Sequence, residues 1–317
     1  MKLSLNLPTD RVELPEEFVT GRAIAEMAVM AEAAGFDSVA VTDHPFPDDQ
    51  WMRAGGHHAL DPMVALAFAA AATTTLRVRT NLYIAAYRNP FLSAKAIASL
   101  DILSGGRVIL GIGTGYLEPE FRALGVPFED RNELTDEAIV AMKRAWEEEG
   151  VTFKGKAFEA TGNSMLPHPV QRPHPPIWIG GNSKRAVRRA VELGDGWLPF
   201  PNPAQAVTRR RTPAMETLDD LRAGIAYARE YERKVGRLAP IGVSFSLGGI
   251  AVPHTSTDPT GASVEIATQL AAAGVTDLSG GVARVDSRAA FLAEVEKMGS
   301  ELVPRIAEIE LSTGGTK

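Results

Sequence analysis

The sequence predicts an α/β protein that folds as a (β/α)8 TIM barrel with a small inserted β-hairpin. Strand and helix patterns alternate along the whole chain, and eight pairs of them can be counted. The length of 317 residues is also usual for one such barrel. We therefore expect a single TIM-barrel domain over residues 1–317. An open, doubly wound parallel sheet is the alternative architecture.

The first half of the chain supplies four strand–helix pairs. Apolar and β-branched runs predict the strands, and apolar residues at helical spacing predict the helices. Gly35 ends the first helix, and Pro62 follows Asp61 at the start of the second. The predicted pairs are 2–7 with 23–35, 38–42 with 61–74, 76–84 with 90–103, and 107–113 with 135–150.

The second half begins with an exception and then resumes the alternation. Period-two alternation around Lys154-Gly155 predicts a β-hairpin over residues 151–160. The final helix carries an apolar stripe that includes Phe291, Val295 and Leu302. The predicted pairs are 176–181 with 183–193, 196–200 with 216–236, 241–250 with 261–273, and 275–279 with 288–309.

Composition narrows the range of functions. Apolar residues make up 45% of the chain and charged residues 23%, as in ordinary globular proteins. The net charge of −6 argues against nucleic-acid binding. The absence of cysteine excludes disulfides, thiolate catalysis and cysteine-ligated metals. With no signal-peptide pattern or membrane-length apolar run, we expect a cytoplasmic enzyme for a small-molecule substrate, with no membrane partner.

The end of the second predicted strand is the first candidate site. Active sites of (β/α)8 barrels lie at the C-terminal ends of the strands. The strand "SVAVT" is followed by Asp43 and His44, and two polar groups suit a buried strand end only if they face a cavity. Since histidine exchanges protons near neutral pH, the pair indicates acid–base chemistry. A turn-capping role is the alternative.

Two further strand ends are rich in glycine. The segment "GIGTGYLEPE" (111–120) carries three glycines spaced by two, which allow the backbone to approach a flat ligand or phosphate closely. The segment "GGNSKRAVRRA" (180–190) places Ser183 as the N-cap of a helix with several cations, a pattern typical of an anion site. An ordinary capped surface helix is the alternative for the second segment.

The sequence gives less support to two other kinds of catalysis, by a metal ion and by a serine nucleophile. His44, His57 and His58 near Asp43 suggest a metal-dependent hydrolase, but the His-x-His spacing expected on a first strand is absent. We therefore expect no metal. Serine-nucleophile catalysis lacks its Gly-x-Ser-x-Gly elbow.

Two long blocks of the sequence resemble a known family. They are "LDILSGGRVILGIGTGYLEPEFRALGVPFEDR" (100–131) and "PVQRPHPPIWIGGNSKRAVRRAVELGDGWLP" (169–199). Both resemble the bacterial-luciferase-like monooxygenase superfamily, and most closely its branch that uses the deazaflavin coenzyme F420 in place of FMN. The resemblance implies a TIM barrel with the cofactor ring in its mouth. It also implies a homodimer built around the second and third predicted helices.

The resemblance also implies roles for particular residues. His44 matches a proton donor or acceptor, with Asp43 expected to fix the cofactor ring or the imidazole. A non-proline cis peptide is expected at Asn81-Leu82, behind the ring. Tyr116 stands where some dehydrogenase members carry a glutamate, which disfavours sugar-phosphate and simple alcohol substrates; it remains a candidate proton donor or stacking residue. The implied catalytic residues are Asp43, His44 and Tyr116, and the implied cofactor-binding residues are Asp43, Asn81, Leu82, Gly111, Gly113, Thr114, Gly115, Gly180, Gly181, Asn182 and Ser183.

The function that these features predict is F420-dependent hydride transfer to or from a small organic substrate. We expect Trp51, His57, His58 and the segment after Gly249 to line the substrate pocket. An FMN-dependent two-component luciferase-like monooxygenase and a non-catalytic flavin- or deazaflavin-binding protein are the alternatives.

Overall fold

The computed structural model describes residues 1–311. The predicted (β/α)8 TIM barrel is confirmed, with β3 and β4 as two segments of one interrupted strand position that both pair with β5. The strands are β1 (Lys2–Asn6), β2 (Ser38–Val41), β3 (Arg77–Thr80), β4 (Tyr83–Ile84), β5 (Val108–Gly113), β6 (Val151–Lys154), β7 (Glu159–Asn163), β8 (Ile177–Gly180), β9 (Gly196–Leu198), β10 (Gly242–Ser246) and β11 (Asp277–Gly280).

Every predicted helical segment contains a helix, and there are several short helices that the sequence pattern did not predict. Most long helices begin at a side-chain cap, as Asp61 shows by accepting the Met63 and Val64 N–H groups. The helices are α1 (Pro15–Phe18), α2 (Gly21–Ala33), α3 (Asp49–Arg53), α4 (Pro62–Ala72), α5 (Pro90–Leu103), α6 (Glu118–Ala123), α7 (Arg131–Glu147), α8 (Lys184–Leu193), α9 (Val207–Arg210), α10 (Leu218–Val235), α11 (Pro259–Ala272), α12 (Arg288–Glu301) and α13 (Val303–Ala307), with 3₁₀ turns at Ala85–Tyr87, Phe128–Asp130 and Ala204–Ala206.

The described chain divides into two compact units, and the first comprises residues 1–7, 26–40 and 178 onward. Its strands run parallel in the order β2, β1, β11, β10, β9, β8. Trp178 lies so close to Gly196 and Gly242 that a Cβ at either glycine would fall within 2.7 Å of the indole. The two glycines therefore make room for this side chain.

The second unit comprises residues 8–25 and 41–177. Here β5 pairs in parallel with both β3 and β4, and the predicted hairpin is present as antiparallel β6–β7. Trp146 of α7 is fully buried, and its indole N–H donates to the Ala94 carbonyl of α5 at 2.9 Å. The unit thus has its own packed helix pair beside the strands.

One helix prediction is wrong in detail. The predicted helix 288–309 is divided into α12 and α13 around Leu302. Pro304 lies in the first turn of α13, where its missing N–H costs no hydrogen bond, whereas inside a continuous helix it would remove one. Within residues 1–311, no helix combines the length and the apolar character that crossing a membrane requires.

Candidate active site

His44 lies in the loop that follows β2, beside a carboxylate from the loop that follows β5. Its Nδ1 atom is 3.2 Å from Oε2 of Glu120, which belongs to the first turn of α6. The His44 side chain is 12% exposed, and the Glu120 side chain is 0% exposed. The strand-end histidine is therefore half of a histidine–carboxylate pair with limited access to solvent.

The Glu120 carboxylate is held by two further donors. The Phe46 backbone N–H donates to Oε1 at 2.9 Å, and the Tyr87 hydroxyl donates to Oε2 at 2.7 Å. Burial, and then the charge and hydrogen bond of Glu120, raise the pKa of Tyr87 well above its usual value. The Tyr87 hydroxyl consequently keeps its proton, and Glu120 acts as the acceptor.

Asp43 has different partners from its neighbour His44. Its carboxylate accepts two hydrogen bonds from Arg88, at 2.7 and 2.9 Å, and one from the Ile84 N–H at 2.9 Å. Asp43 is expected to fix the cofactor ring or the imidazole; in the structure His44 Nδ1 lies beside Glu120, and the Asp43 carboxylate contacts Arg88 and Ile84. Although burial alone lowers the pKa of Arg88, the hydrogen bond and charge of Asp43 raise it above its ordinary value.

The interruption between β3 and β4 contains the expected cis peptide, Asn81-Leu82. The Asn81 N–H donates to the Val41 carbonyl at 2.7 Å. A Cβ on Gly113 of β5 would lie 3.0 Å from Ile84 and 3.2 Å from Leu82. Glycine at position 113 thus allows this interrupted segment to pack closely against β5.

The other small residues at the end of β5 are also explained by contacts within the protein. Gly115 has a φ of +75°, and its Cβ would lie 2.6 Å from the Phe121 ring. The Gly111 carbonyl accepts from the Thr80 hydroxyl at 2.8 Å, while Thr114 is half-buried just beyond β5. The missing Cβ atoms of Gly113 and Gly115 therefore leave room for neighbouring side chains of the protein.

Aromatic rings gather around the His44 imidazole. The ring centroid of His44 is 4.6 Å from that of Trp51, 4.9 Å from that of His57 and 6.0 Å from that of Tyr116. Trp51 belongs to α3, which Asp48 caps through two backbone N–H groups. The structure therefore brings the predicted residues Trp51, His57 and Tyr116 to His44.

The surroundings of His57 favour its neutral form. Burial, together with the neighbouring His44 and His58, lowers the pKa of His57, against opposing contributions from the His58 carbonyl and Asp10. Its Nδ1 lies 3.0 Å from the His58 carbonyl, which can only accept, so this nitrogen carries the proton. A neutral imidazole therefore borders His44 on this side.

The Gly180–Ser183 turn lies in the first unit, at the start of α8. Asn182 Nδ2 donates to the Phe200 and Pro213 carbonyls at 2.9 and 3.1 Å, and its Oδ1 accepts from the Phe200 N–H at 3.0 Å. Gly181 has a φ of +111°, and the Ser183 hydroxyl accepts from the Ala186 N–H. The predicted N-cap is confirmed, and the Asn182 side chain holds the turn to the chain that follows β9.

Sequence reasoning missed three residues that hold the predicted ones. Glu120, Tyr87 and Arg88 each contact Asp43 or His44 or support such a contact. The signals were weak: Glu118 and Glu120 flank Pro119 alike, but only the second is buried. Within residues 1–311, no group of three or more His, Asp or Glu side chains is arranged to hold a metal ion.

Comparison with known proteins identifies a family model and individual proteins that this chain resembles. Residues 1–247 match the family model described as luciferase-like monooxygenase. An uncharacterised protein of Mycobacterium tuberculosis (strain ATCC 25618 / H37Rv) is 30% identical over 281 residues, covering 78% of this chain and 94% of that protein. An F420-dependent glucose-6-phosphate dehydrogenase of Kineococcus radiotolerans is 32% identical over 234 residues, covering 73% of this chain and 66% of that protein.

A solved structure shares the fold. The oxygenating constituent of 3,6-diketocamphane monooxygenase from Pseudomonas putida, in complex with FMN, matches with a TM-score of 0.75 at 18% identity. The match covers 98% of this chain and 99% of that one. The structural match shows the fold, and the family model, which spans most of the sequence, shows the family. The chain therefore belongs to the luciferase-like monooxygenase family and is an enzyme of that class.

Proposed function

We propose that this protein is a coenzyme F420-dependent oxidoreductase that transfers a hydride between the deazaflavin and a small organic substrate, while His44 exchanges the accompanying proton. The observation that carries the proposal is the half-buried His44 imidazole, bonded to the buried Glu120 and in contact with the Trp51 ring. Such an imidazole is suited to give or take one proton near neutral pH. The relative at 32% identity is named an F420-dependent dehydrogenase, which supports the deazaflavin.

A buried hydroxyl of the residue two before His44 supports a bound polar group at this strand end. Thr42 Oγ1 is buried and has no hydrogen-bond partner within residues 1–311. A buried hydroxyl without a partner costs free energy, and the polar edge of a bound ring offers the missing bond. Thr42, Asn81, Leu82 and Thr114 are the residues assigned to the ring. When bound, the deazaflavin supplies a carbon centre that gives or accepts a hydride.

The remaining predicted residues have supporting roles in this proposal. Asp43 and Arg88 hold the Ile84 segment, and Gly113 lets that segment pack against β5. Tyr116 lies near the imidazole, where its hydroxyl is assigned to the substrate. In the first unit, the Gly180–Ser183 turn at the start of α8 is assigned to a phosphate group, which the helix dipole favours.

Parallel titrations with coenzyme F420 and FMN test the cofactor. We expect F420 to bind at least about tenfold tighter, a difference of about 1.4 kcal/mol. Tight FMN binding with weak F420 binding would instead indicate an FMN-dependent two-component monooxygenase. Tight F420 binding without turnover on a panel of enones and imines would indicate a non-catalytic binding protein.

A homodimer is also part of the proposal, and an exposed apolar face supports it. The outward face of α4 carries Val64 and Phe68, which are 59% and 50% exposed. On α5, Leu92 and Leu103 are 72% and 81% exposed, and their spacing places them on one face of the helix. Exposed apolar side chains grouped on one face of a helix are a feature of protein interfaces. These two helices correspond to the second and third predicted ones.

Sedimentation analysis tests the dimer. The wild-type protein should sediment as a dimer, and Phe68→Glu should sediment as a monomer because the charge opposes burial of the face. Leu238→Glu is the matched control, since Leu238 is fully exposed and lies outside that face. A monomeric wild type, or a dimer that survives Phe68→Glu, would rule out this interface.

A further inference from the structure

The fully buried carboxylate of Glu120 lies directly beside His44. We propose that Glu120 is a positioning residue that holds His44 as the tautomer protonated on Nδ1, so that Nε2 is the nitrogen that exchanges a proton with the substrate. This role rests on the proposed function only for its catalytic consequence. The tautomer itself is a property of the chain.

The directions of the hydrogen bonds around Glu120 point to this tautomer. The Phe46 N–H can only donate, and the Tyr87 hydroxyl donates to Oε2. Because the carboxylate accepts from both of these donors, a third donor fits its remaining lone pairs. His44 Nδ1 therefore carries a hydrogen, which points to Glu120 across 3.2 Å. The lone pair of neutral His44 is then left on Nε2.

Neighbouring rings limit the alternative of a flipped imidazole. The centroids of the Trp51 and His44 rings are 4.6 Å apart, with 36° between the ring planes. The His57 ring lies edge-on to the His44 ring, with 4.9 Å between their centroids. A half-turn of the ring would place carbon opposite Glu120, leaving a fully buried carboxylate with fewer donors. Loss of a hydrogen bond to a buried carboxylate is costly, so the observed orientation is favoured.

A glutamine at position 120 separates positioning from packing. In Glu120→Gln the amide oxygen is needed at the Phe46 N–H, since that donor has no other partner in the cluster. The amide NH₂ then occupies the place of Oε2, where it faces the Tyr87 hydroxyl and His44 Nδ1. Packing volume is kept, but the polarity of the bond to His44 is reversed. The proton of neutral His44 is thereby moved to Nε2.

Nitrogen-15 NMR of labelled histidine side chains in the ligand-free protein tests the tautomer directly. At about pH 8, where an ordinary imidazole is neutral, wild-type His44 should be protonated on Nδ1 and Glu120→Gln should show it on Nε2. The signal is assigned by its loss in His44→Gln. Glu118→Gln is the matched control: Glu118 is on the same helix, 44% exposed and paired with Arg122. It should leave the tautomer unchanged.

Two results would overturn the proposal: Nε2-protonated His44 in the wild type, or an unchanged tautomer in folded Glu120→Gln. Should Glu120→Gln fail to fold, Tyr87→Phe provides the second variant. It removes one donor but keeps the carboxylate, so His44 should remain protonated on Nδ1. A change to Nε2 in Tyr87→Phe would show that Glu120 alone does not select the tautomer, and would also contradict the proposal.

The kinetic consequence is measured separately in the F420-loaded enzyme. Glu120→Gln should lower kcat by roughly 10²–10⁴-fold, the range of a general acid–base group, with KM and cofactor affinity little changed. An unchanged kcat would contradict the catalytic consequence. If the protein does not use F420, this kinetic arm fails while the NMR result stands, so the two failures are distinguishable.

Discussion

Two buried carboxylates near the loop after β2, Asp43 and Glu120, have partners of opposite kinds. Asp43 accepts two hydrogen bonds from Arg88, whose guanidinium stays charged throughout the physiological range. Glu120 accepts from Tyr87 and Phe46 and contacts His44, which can gain or lose a proton. The first carboxylate thus fixes backbone structure, whereas the second faces a group that can change charge during a reaction.

The largest effect on stability is expected from breaking the Asp43–Arg88 pair. Arg88→Met should lower the free energy of unfolding by about 3–5 kcal/mol, because it leaves a buried carboxylate without its cation. Arg122→Met, at a pair whose arginine is 75% exposed, should cost less than about 1 kcal/mol. Urea unfolding measures both variants. Equal losses in the two would contradict the structural role of Asp43.

A smaller loss is expected where Gly113 borders the segment that Asp43 holds. Gly113→Ala should cost about 1–3 kcal/mol, because its Cβ would be forced against Ile84 and Leu82. Gly280→Ala is the strand control, since a Cβ there meets nothing within 4 Å and its φ is not positive. Thermal unfolding should separate the two variants. A neutral Gly113→Ala would show that the segment has room to shift.

The smallest effect concerns the dependence of stability on pH. Because the pKa of His57 is lowered in the folded state, the unfolded chain takes up this proton first as the pH falls below 6.5. Stability should therefore decrease with falling pH in that range, by at most about 1.4 kcal/mol for each pKa unit of the shift. His57→Gln should show a shallower decrease between about pH 7 and 5. Identical slopes in urea unfolding would contradict this contribution.

The sequence indicated the strand ends but not the partners that they meet. The hairpin at Lys154-Gly155, the position of His44 and the cis step at Asn81 follow from local pattern or from family resemblance. Whether Glu118 or Glu120 contacts His44 depends on how α6 packs against the loop after β2. These two segments are far apart in the sequence. Similarly, the path of the chain after β4 brings Arg88 to Asp43. Short helices such as α3 and α6 hold too few turns for periodicity to reveal them.

Single-turnover hydride transfer with F420 tests the central claim most directly. The rate is compared between wild type and His44→Asn, alongside F420 affinity and the unfolding midpoint of each protein. We predict a rate that falls by roughly 10²–10⁴-fold, with affinity and midpoint nearly unchanged, because His44 exchanges the proton without holding the fold. A His44→Asn enzyme that transfers hydride at the wild-type rate would contradict the assignment.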